Sequence, residues 1–291
     1  MRTTRITSRE NQFVKEIRSL RLKKNRIAEH RFVIEGFKMF HEAVSSGNFP
    51  YYAVVSDEVG DKVFPSEIIS DMERSSCEVY SVPDGLFRSI SATESPQGIL
   101  AVVKMPLSIY YAGMSQPVFD DVFSEIAVDA ASIEGGGNNE KVFAVVLEGI
   151  MDPGNLGSII RTADAFGCTC VVASSDCADI FNDKTIRATM GSIFHIHIIV
   201  VDDIAASVKD MKRFGVRIFA AVPNSRKSCS SADFTGHIAI IIGNEAHGLG
   251  SAVLSEADEL LAIPMSGRAE SLNASAASAV LLYEVSRQRA R

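Results

Sequence analysis

Along the first hundred residues two hydrophobic periods take turns. Phe13, Val14, Ile17 and Leu20 recur among charges at helical spacing and predict a helix over residues 11–24. Phe32-Val33-Ile34-Glu35-Gly36 predicts a short strand ending at a glycine, with a helix over 37–44. Strands are expected at 51–56, 77–82 and 99–104, and a helix at 67–74. Strands interleaved with helices imply a small α/β module over residues 1–105.

From Lys141 the pattern becomes more regular. Strands are predicted at 142–147, 169–173, 194–201, 216–222, 238–242 and 261–263, and helices at 156–166, 204–214 and 274–288. Short, continuously apolar strands alternating with helices imply a largely parallel sheet covered on both faces, so 141–291 reads as a second domain. Residues 106–140 contain Pro106, Pro117, scattered acids and the run Gly135-Gly136-Gly137-Asn138-Asn139. They read as an interdomain connection with a mobile glycine-rich tip, and 123–131 is a candidate extra strand or helix.

Composition narrows the class without naming it. Hydrophobic residues make up 46% and charged residues 22%, as in ordinary globular proteins. No apolar run approaches the roughly 18–20 residues that span a bilayer, and the polar opening Met-Arg-Thr-Thr-Arg lacks a signal core. A cytoplasmic protein with no membrane partner is expected. Cys77, Cys168, Cys170, Cys177 and Cys229 form an odd set without CxxC spacing. Cys168 and Cys170 sit in an apolar strand-like stretch that sends both to one face, so reduced core cysteines are expected and no metal site.

Charge adds a qualification. The net charge of −7 argues against a nucleic-acid partner, but its distribution is uneven. Residues 1–31 hold ten of the 29 basic and three of the 36 acidic residues, a local +7, leaving 19 basic and 33 acidic elsewhere. Phosphate contact depends on local basic density, which makes Arg21, Lys23, Lys24 and Arg26 candidate RNA contacts. A merely solvated helix face is the competing reading.

In a parallel sheet ligands bind beyond the carboxyl ends of the strands. Three loops in such positions hold the unusual residues. In Leu147–Arg161 a strand runs through a glycine-bearing turn into a helix. Leu156, Ile159, Ile160 and Ala163 form its apolar stripe, Asn155 is placed to cap it, and Arg161 lies off the stripe on the side of Ser158. Asn155 as a cap and Arg161 as a surface charge would account for both. Ile241–Gly250 places Gly243, Gly248 and Gly250 after an apolar strand, which implies close backbone approaches. It is neither a GxGxxG opening nor a Walker loop. His247 there has no partner at metal-ligand spacing. In Ile263–Asn273, Ser271 and Asn273 are helix-start residues, and small residues follow that permit close packing.

Taken in order, these segments resemble the signature motifs of the TrmH/SpoU group in the SPOUT methyltransferase superfamily. Asp152–Gly167 (DPGNLGSIIRTADAFG) resembles the first, Ile240–Gly250 (IIIGNEAHGLG) the second, and Ile263–Val280 (IPMSGRAESLNASAASAV) the third. Asp183–Phe194 (DKTIRATMGSIF) resembles the segment between the first two. The opening Ile6–Ala43 is similar to the group's substrate-binding domain, which resembles small ribosomal RNA-binding proteins.

The resemblance implies an α/β fold: a parallel-sheet SPOUT domain with a deep trefoil knot, preceded by a ribosomal-protein-like module. It implies S-adenosylmethionine as cofactor, held by the backbone around Gly243, Ile263, Met265 and Leu272. It also implies transfer of methyl to a ribose 2′-hydroxyl of RNA by a homodimer, with ribosomal RNA the favoured substrate and transfer RNA the alternative. Arg161 would activate the hydroxyl, assisted by Asn155, with Glu245, Ser271 and Asn273 nearby. An arginine with a pKa above about 12 is an awkward base, so binding of phosphate and oxyanion stabilisation suit it better. A knotted base methyltransferase would share fold and cofactor but not these motifs. A non-catalytic RNA-binding relative would lack Arg161 or Asn273. A dinucleotide-binding oxidoreductase would carry a glycine fingerprint that is missing here.

Overall fold

In the computed structural model, residues 4–60, 64–111, 123 and 141–290 are described. They group into two compact units, one made of residues up to Pro106 together with 179–195, the other of 107–178 with 196 onward. The expected division at 105 and 141 therefore changes in two places. A segment from within the predicted catalytic span belongs to the first unit, and part of the predicted connection belongs to the second. The candidate element at 123–131 and the glycine-rich tip lie outside the described residues, except for Phe123. That ring is buried 5.5 Å from Phe214.

The first unit contains β1 (Thr4–Arg5), α1 (Gln12–Ser19), α2 (Lys23–Glu29), β2 (Arg31–Glu35), α3 (Phe37–Ser45), β3 (Tyr52–Ser56), α4 (Asp57–Gly60), α5 (Ser66–Ser75), β4 (Glu78–Val82), α6 (Asp84–Ile90) and β5 (Ile99–Lys104). Its sheet runs β1-β4-β3-β5-β2. β1 and β3 lie parallel to β4, while β5 is antiparallel to β3 and β2. The single helix expected over 11–24 is instead two. Asn11 caps α1 by accepting from the Phe13 amide at 2.9 Å, and the chain then breaks at Leu22, which is extended and 54% exposed. Carbonyls at the end of α1 need partners, and Arg26 supplies them. Its guanidinium donates to the Leu20 and Arg21 carbonyls at 2.7 Å each.

The second unit contains β6 (Ile109–Tyr111), β7 (Phe143–Leu147), α7 (Pro153–Ala165), β8 (Cys170–Ser174), β9 (His197–Val201), α9 (Ile204–Arg213), β10 (Arg217–Ala221), β11 (Ile238–Ile242), α10 (Ser251–Glu256), β12 (Glu259–Leu261) and α11 (Ala274–Arg289). The intervening α8 (Asp183–Thr189) belongs to the first unit. The sheet order is β12-β10-β11-β7-β8-β9-β6, and every pairing is parallel. β7, β8 and β11 are buried along their whole length, as strands covered on both faces must be. Ile204, Val208 and Met211 of α9 share one core cluster with the strand residues Ala144, Val146 and Ile241. α7 and α11 pack against each other and against β8 and β11.

Cys168 and Cys170 are free and buried, and burial pushes the first thiol well up and the second to about 12. Both are neutral core fillers at neutral pH. No described helix is long and apolar enough to cross a membrane.

Candidate functional site

Because β12, β10, β11 and β7 are neighbours and all parallel, their carboxyl ends open on one edge of the sheet. The loops after β10, β11 and β12 line a cleft of about 740 Å³, within the range of small-molecule sites. Of the residues singled out in the sequence, Gly243, Glu245, Ile263, Met265, Ser271 and Leu272 line it. Asn155, Arg161 and Asn273 do not.

The β11 loop is held by the Asn244 side chain and by its own backbone. Asn244 accepts from the amides of Ala246 and His247 at 2.8 and 3.1 Å, and the Gly248 amide returns to the Asn244 carbonyl at 2.9 Å. This folds Gly243 and Gly248 together so closely that a Cβ on Gly243 would lie 2.6 Å from the carbonyl carbon and oxygen of Gly248. Backbone cannot yield as a flexible side chain would, so position 243 requires glycine. The Asn244 amide also donates to the Gly149 carbonyl at 2.7 Å, tying the β11 loop to the β7 loop on the adjacent strand.

In the β7 loop the expected cap is corrected. Asp152, not Asn155, caps α7: it accepts from the Asn155 amide at 2.8 Å, with Pro153 at the first helical position. The Asn155 side chain is thereby released from capping and donates to Glu245 Oε1 at 2.6 Å. Two residues from different loops meet in this way, and a carboxylate that lines the cleft is oriented by an amide outside it. Arg161 stands on the exposed face of α7, opposite the buried stripe of Leu156, Ile159, Ile160 and Ala163.

The third loop also differs from expectation. The strand lies at Glu259–Leu261 rather than 261–263, paired with β10 from Phe219 onward. Ile263 is released into the cleft wall, where Met265 and Leu272 join it, each 38% exposed. Asn273 caps α11 by accepting from the Ala276 amide at 2.8 Å, while Ser271 is exposed in the loop before it. Ala274 and Ser278 face inward, and the Ser278 hydroxyl donates to the Ala274 carbonyl at 2.6 Å. Ala276 stays exposed and Ser275, Ala277 and Ala279 are half-buried, and the exposed side of α11 also presents Val280 and Tyr283.

Sequence reasoning missed Val222, Pro223 and Asn224, which follow β10 and line the cleft. Their one signal was position, just beyond an apolar strand. Among the four candidate RNA contacts in the first unit, Arg21, Lys23 and Lys24 are exposed. Arg26 is not: it is 6% exposed and ion-paired with Asp179, which leaves it no phosphate to meet. Among the described residues, no group of three or more His, Cys, Asp or Glu side chains is arranged to hold a metal ion.

Comparison with known proteins places this geometry. Residues 142–283 match the SpoU rRNA Methylase family, and residues 11–101 match the MRM3-like substrate binding domain. The 23S rRNA (guanosine(2553)-2′-O)-methyltransferase RlmP of Bacillus subtilis is 32% identical over 280 residues, 96% of this chain and 98% of that protein. The 23S rRNA (uridine(2479)-2′-O)-methyltransferase of Streptomyces viridochromogenes is 28% identical, over 98% of this chain and 92% of its own. Among solved structures, an AdoMet-bound rRNA methyltransferase from Sinorhizobium meliloti superposes with a TM-score of 0.75 at 27% identity, covering 98% of both chains. The chain therefore belongs to the SpoU rRNA methylase family, with its methylase domain at residues 142–283.

Proposed function

We propose that this protein is an S-adenosylmethionine-dependent methyltransferase that modifies a ribose 2′-hydroxyl in ribosomal RNA. The observation that carries the reading is the cleft at three parallel strand ends, bounded by the Gly243–Gly248 backbone contact and lined by Glu245, which Asn155 holds from the β7 loop.

The residues present suit the cofactor. The absence of a side chain at Gly243 keeps main chain at the cleft surface, and Ile263, Met265 and Leu272 offer apolar wall for a flat adenine. S-adenosylmethionine, when bound, supplies a methyl group on a positively charged sulfur. The chain's own residues orient and polarise the hydroxyl that receives it. Glu245, fixed by Asn155, presents a carboxylate that accepts a hydrogen bond, and Ser271 adds a hydroxyl on the opposite loop. Arg161 carries a permanent positive charge on the outer face of α7, suited to a backbone phosphate and to negative charge developing on the ribose oxygen. Asn273 acts indirectly, by fixing where α11 begins.

The reading includes a trefoil knot around the cleft, a cytoplasmic location and a homodimer through the second unit. Val280 and Tyr283, 40% and 56% exposed, give the dimer an apolar face beside α7, and two-fold self-association is the commonest oligomeric outcome. Light scattering is expected to give twice the chain mass. The RNA activity is tested by incubating the protein with methyl-labelled cofactor and total RNA. Label is expected in ribosomal RNA; label confined to transfer RNA, or none, overturns the assignment.

A further inference from the structure

Two basic segments far apart in sequence meet in the first unit. Arg21, in the turn between α1 and α2, and Arg187, on α8, line one small depression together with Glu35 and Asp183. Its floor is apolar, from Leu20, Val33 and Ile186. Asp183, Ile186 and Arg187 sit at i, i+3 and i+4 on α8, so one face of that helix borders the depression. Lys184 is exposed, three residues before Arg187 and so its neighbour on the helix surface. Segment 179–195 is fixed in this unit by the Arg26–Asp179 ion pair and by Phe181, whose ring lies 4.7 Å from that of Phe32. The placement of α8 beside Arg21 is thus part of the fold.

The depression itself is balanced, Arg21 and Arg187 against Glu35 and Asp183, and the surplus of positive charge lies around it. Glu35 is engaged locally, accepting from the hydroxyls of Ser91 and Thr93 at 2.6 and 2.5 Å and from the Ala92 amide at 3.0 Å. Arg26 and Asp179 neutralise each other in the interior. Three further basic residues are exposed on the elements next to the depression, Lys184 on α8 and Lys23 and Lys24 at the start of α2. Burial pushes the Asp183 carboxyl upward, while the charges of Arg21, Arg187 and Arg26 pull it the other way, which places both arginines of the depression within electrostatic reach of this carboxyl. A face of this kind has the chemistry of a phosphate backbone contact, spread over several cations rather than focused on one.

We propose that Lys184 and Arg187 of α8 contact RNA phosphates, completing with Arg21, Lys23 and Lys24 one basic face drawn from both halves of the sequence. The inference rests on the rRNA methyltransferase reading, since RNA is the occupant. Ordering this face does not require the cofactor, whose cleft lies in the other unit.

The test uses the full chain and a 23S rRNA fragment, titrated at several salt concentrations with wild type, Lys184→Gln, Arg187→Gln, the double variant and Arg187→Lys. Each lost phosphate contact lowers the slope of log affinity against log salt by about 0.7–0.9. The double variant is expected to lose about twice that, while Arg187→Lys keeps the wild-type slope and every variant keeps its cofactor affinity. Lys184 is exposed, so Lys184→Gln folds normally and is expected to show its own loss of slope even if Arg187→Gln weakens the fold. Superimposable slopes for wild type and the double variant overturn this inference alone, provided wild type binds and methylates the fragment. A wild type that does neither overturns the parent reading, and this inference with it.

Discussion

In the seven-stranded sheet the lining of the cleft arrives on three neighbouring strand ends, whereas in the first unit the exposed cations come from a turn, a short helix and a segment belonging to the other half of the chain. Parallel pairing explains the first pattern. It sends every carboxyl end to the same edge, so loops widely separated in sequence become neighbours as soon as strand order is fixed. No comparable rule governs the mixed sheet of the first unit. There, which of several similar arginines faces solvent depends on a distant partner: Arg21 is exposed and Arg26, five residues on, is buried against Asp179.

The contrast breaks most readily at Arg26. Removing it leaves Asp179 without its ionic partner and takes a side-chain donor from the carbonyls of Leu20 and Arg21. Arg26→Ala is expected to destabilise the first unit by about 3–5 kcal/mol, measured by denaturant unfolding. A loss below about 1 kcal/mol would mean that this arginine is a surface charge after all, equivalent to its neighbours.

Arg161 sharpens the other side. Arg161→Ala is expected to slow methyl transfer by about 10²–10³ while leaving cofactor affinity near wild type, because the residue lies outside the cleft. Turnover close to normal refutes its role, and lost cofactor binding moves it into the cofactor site.

Gly243→Ala acts in the opposite sense, on the cofactor rather than the RNA. Its added carbon meets the Gly248 backbone at 2.6 Å, and relief of such overpacking costs about 1–3 kcal/mol, on the order of ten- to a hundredfold in cofactor affinity by calorimetry. RNA affinity and its salt dependence are expected to stay unchanged. Wild-type cofactor affinity would show that the loop opens without cost.

The smallest effect is expected at the exposed lysines. Replacing Lys23 and Lys24 with glutamine is expected to lower the salt slope of RNA binding by about 1.5, weakening all rRNA fragments alike, with cofactor binding intact. An unchanged slope would reduce this segment to a solvated helix face.

These differences trace what was legible in the residues. The loops after β7 and β11 stood out because glycines follow continuous apolar runs, and the second of them lines the cleft. Asn155 was harder. Asp152 and Asn155 are both good caps, and only the proline at 153 favours the first, freeing the second for Glu245. β12 was misplaced because its exposed Leu260 and acidic Glu259 look less strand-like than Leu261-Ala262-Ile263, yet β10 pairs with the former. Val222-Pro223-Asn224 carries no chemical signal, and α8 reads as part of the methylase half although it packs with the first unit. In each case the missing information was a tertiary partner rather than a local preference.

The ribose hydroxyl as acceptor is tested most directly by following the methyl group to its atom. The protein is incubated with methyl-labelled S-adenosylmethionine and unmodified 23S rRNA, and the RNA is digested to nucleosides and resolved by mass spectrometry. Ribose-directed transfer predicts label in a single 2′-O-methyl nucleoside, lost when Arg161→Ala replaces wild type. Label on a base, or no label in ribosomal RNA under conditions where the cofactor binds, would contradict it.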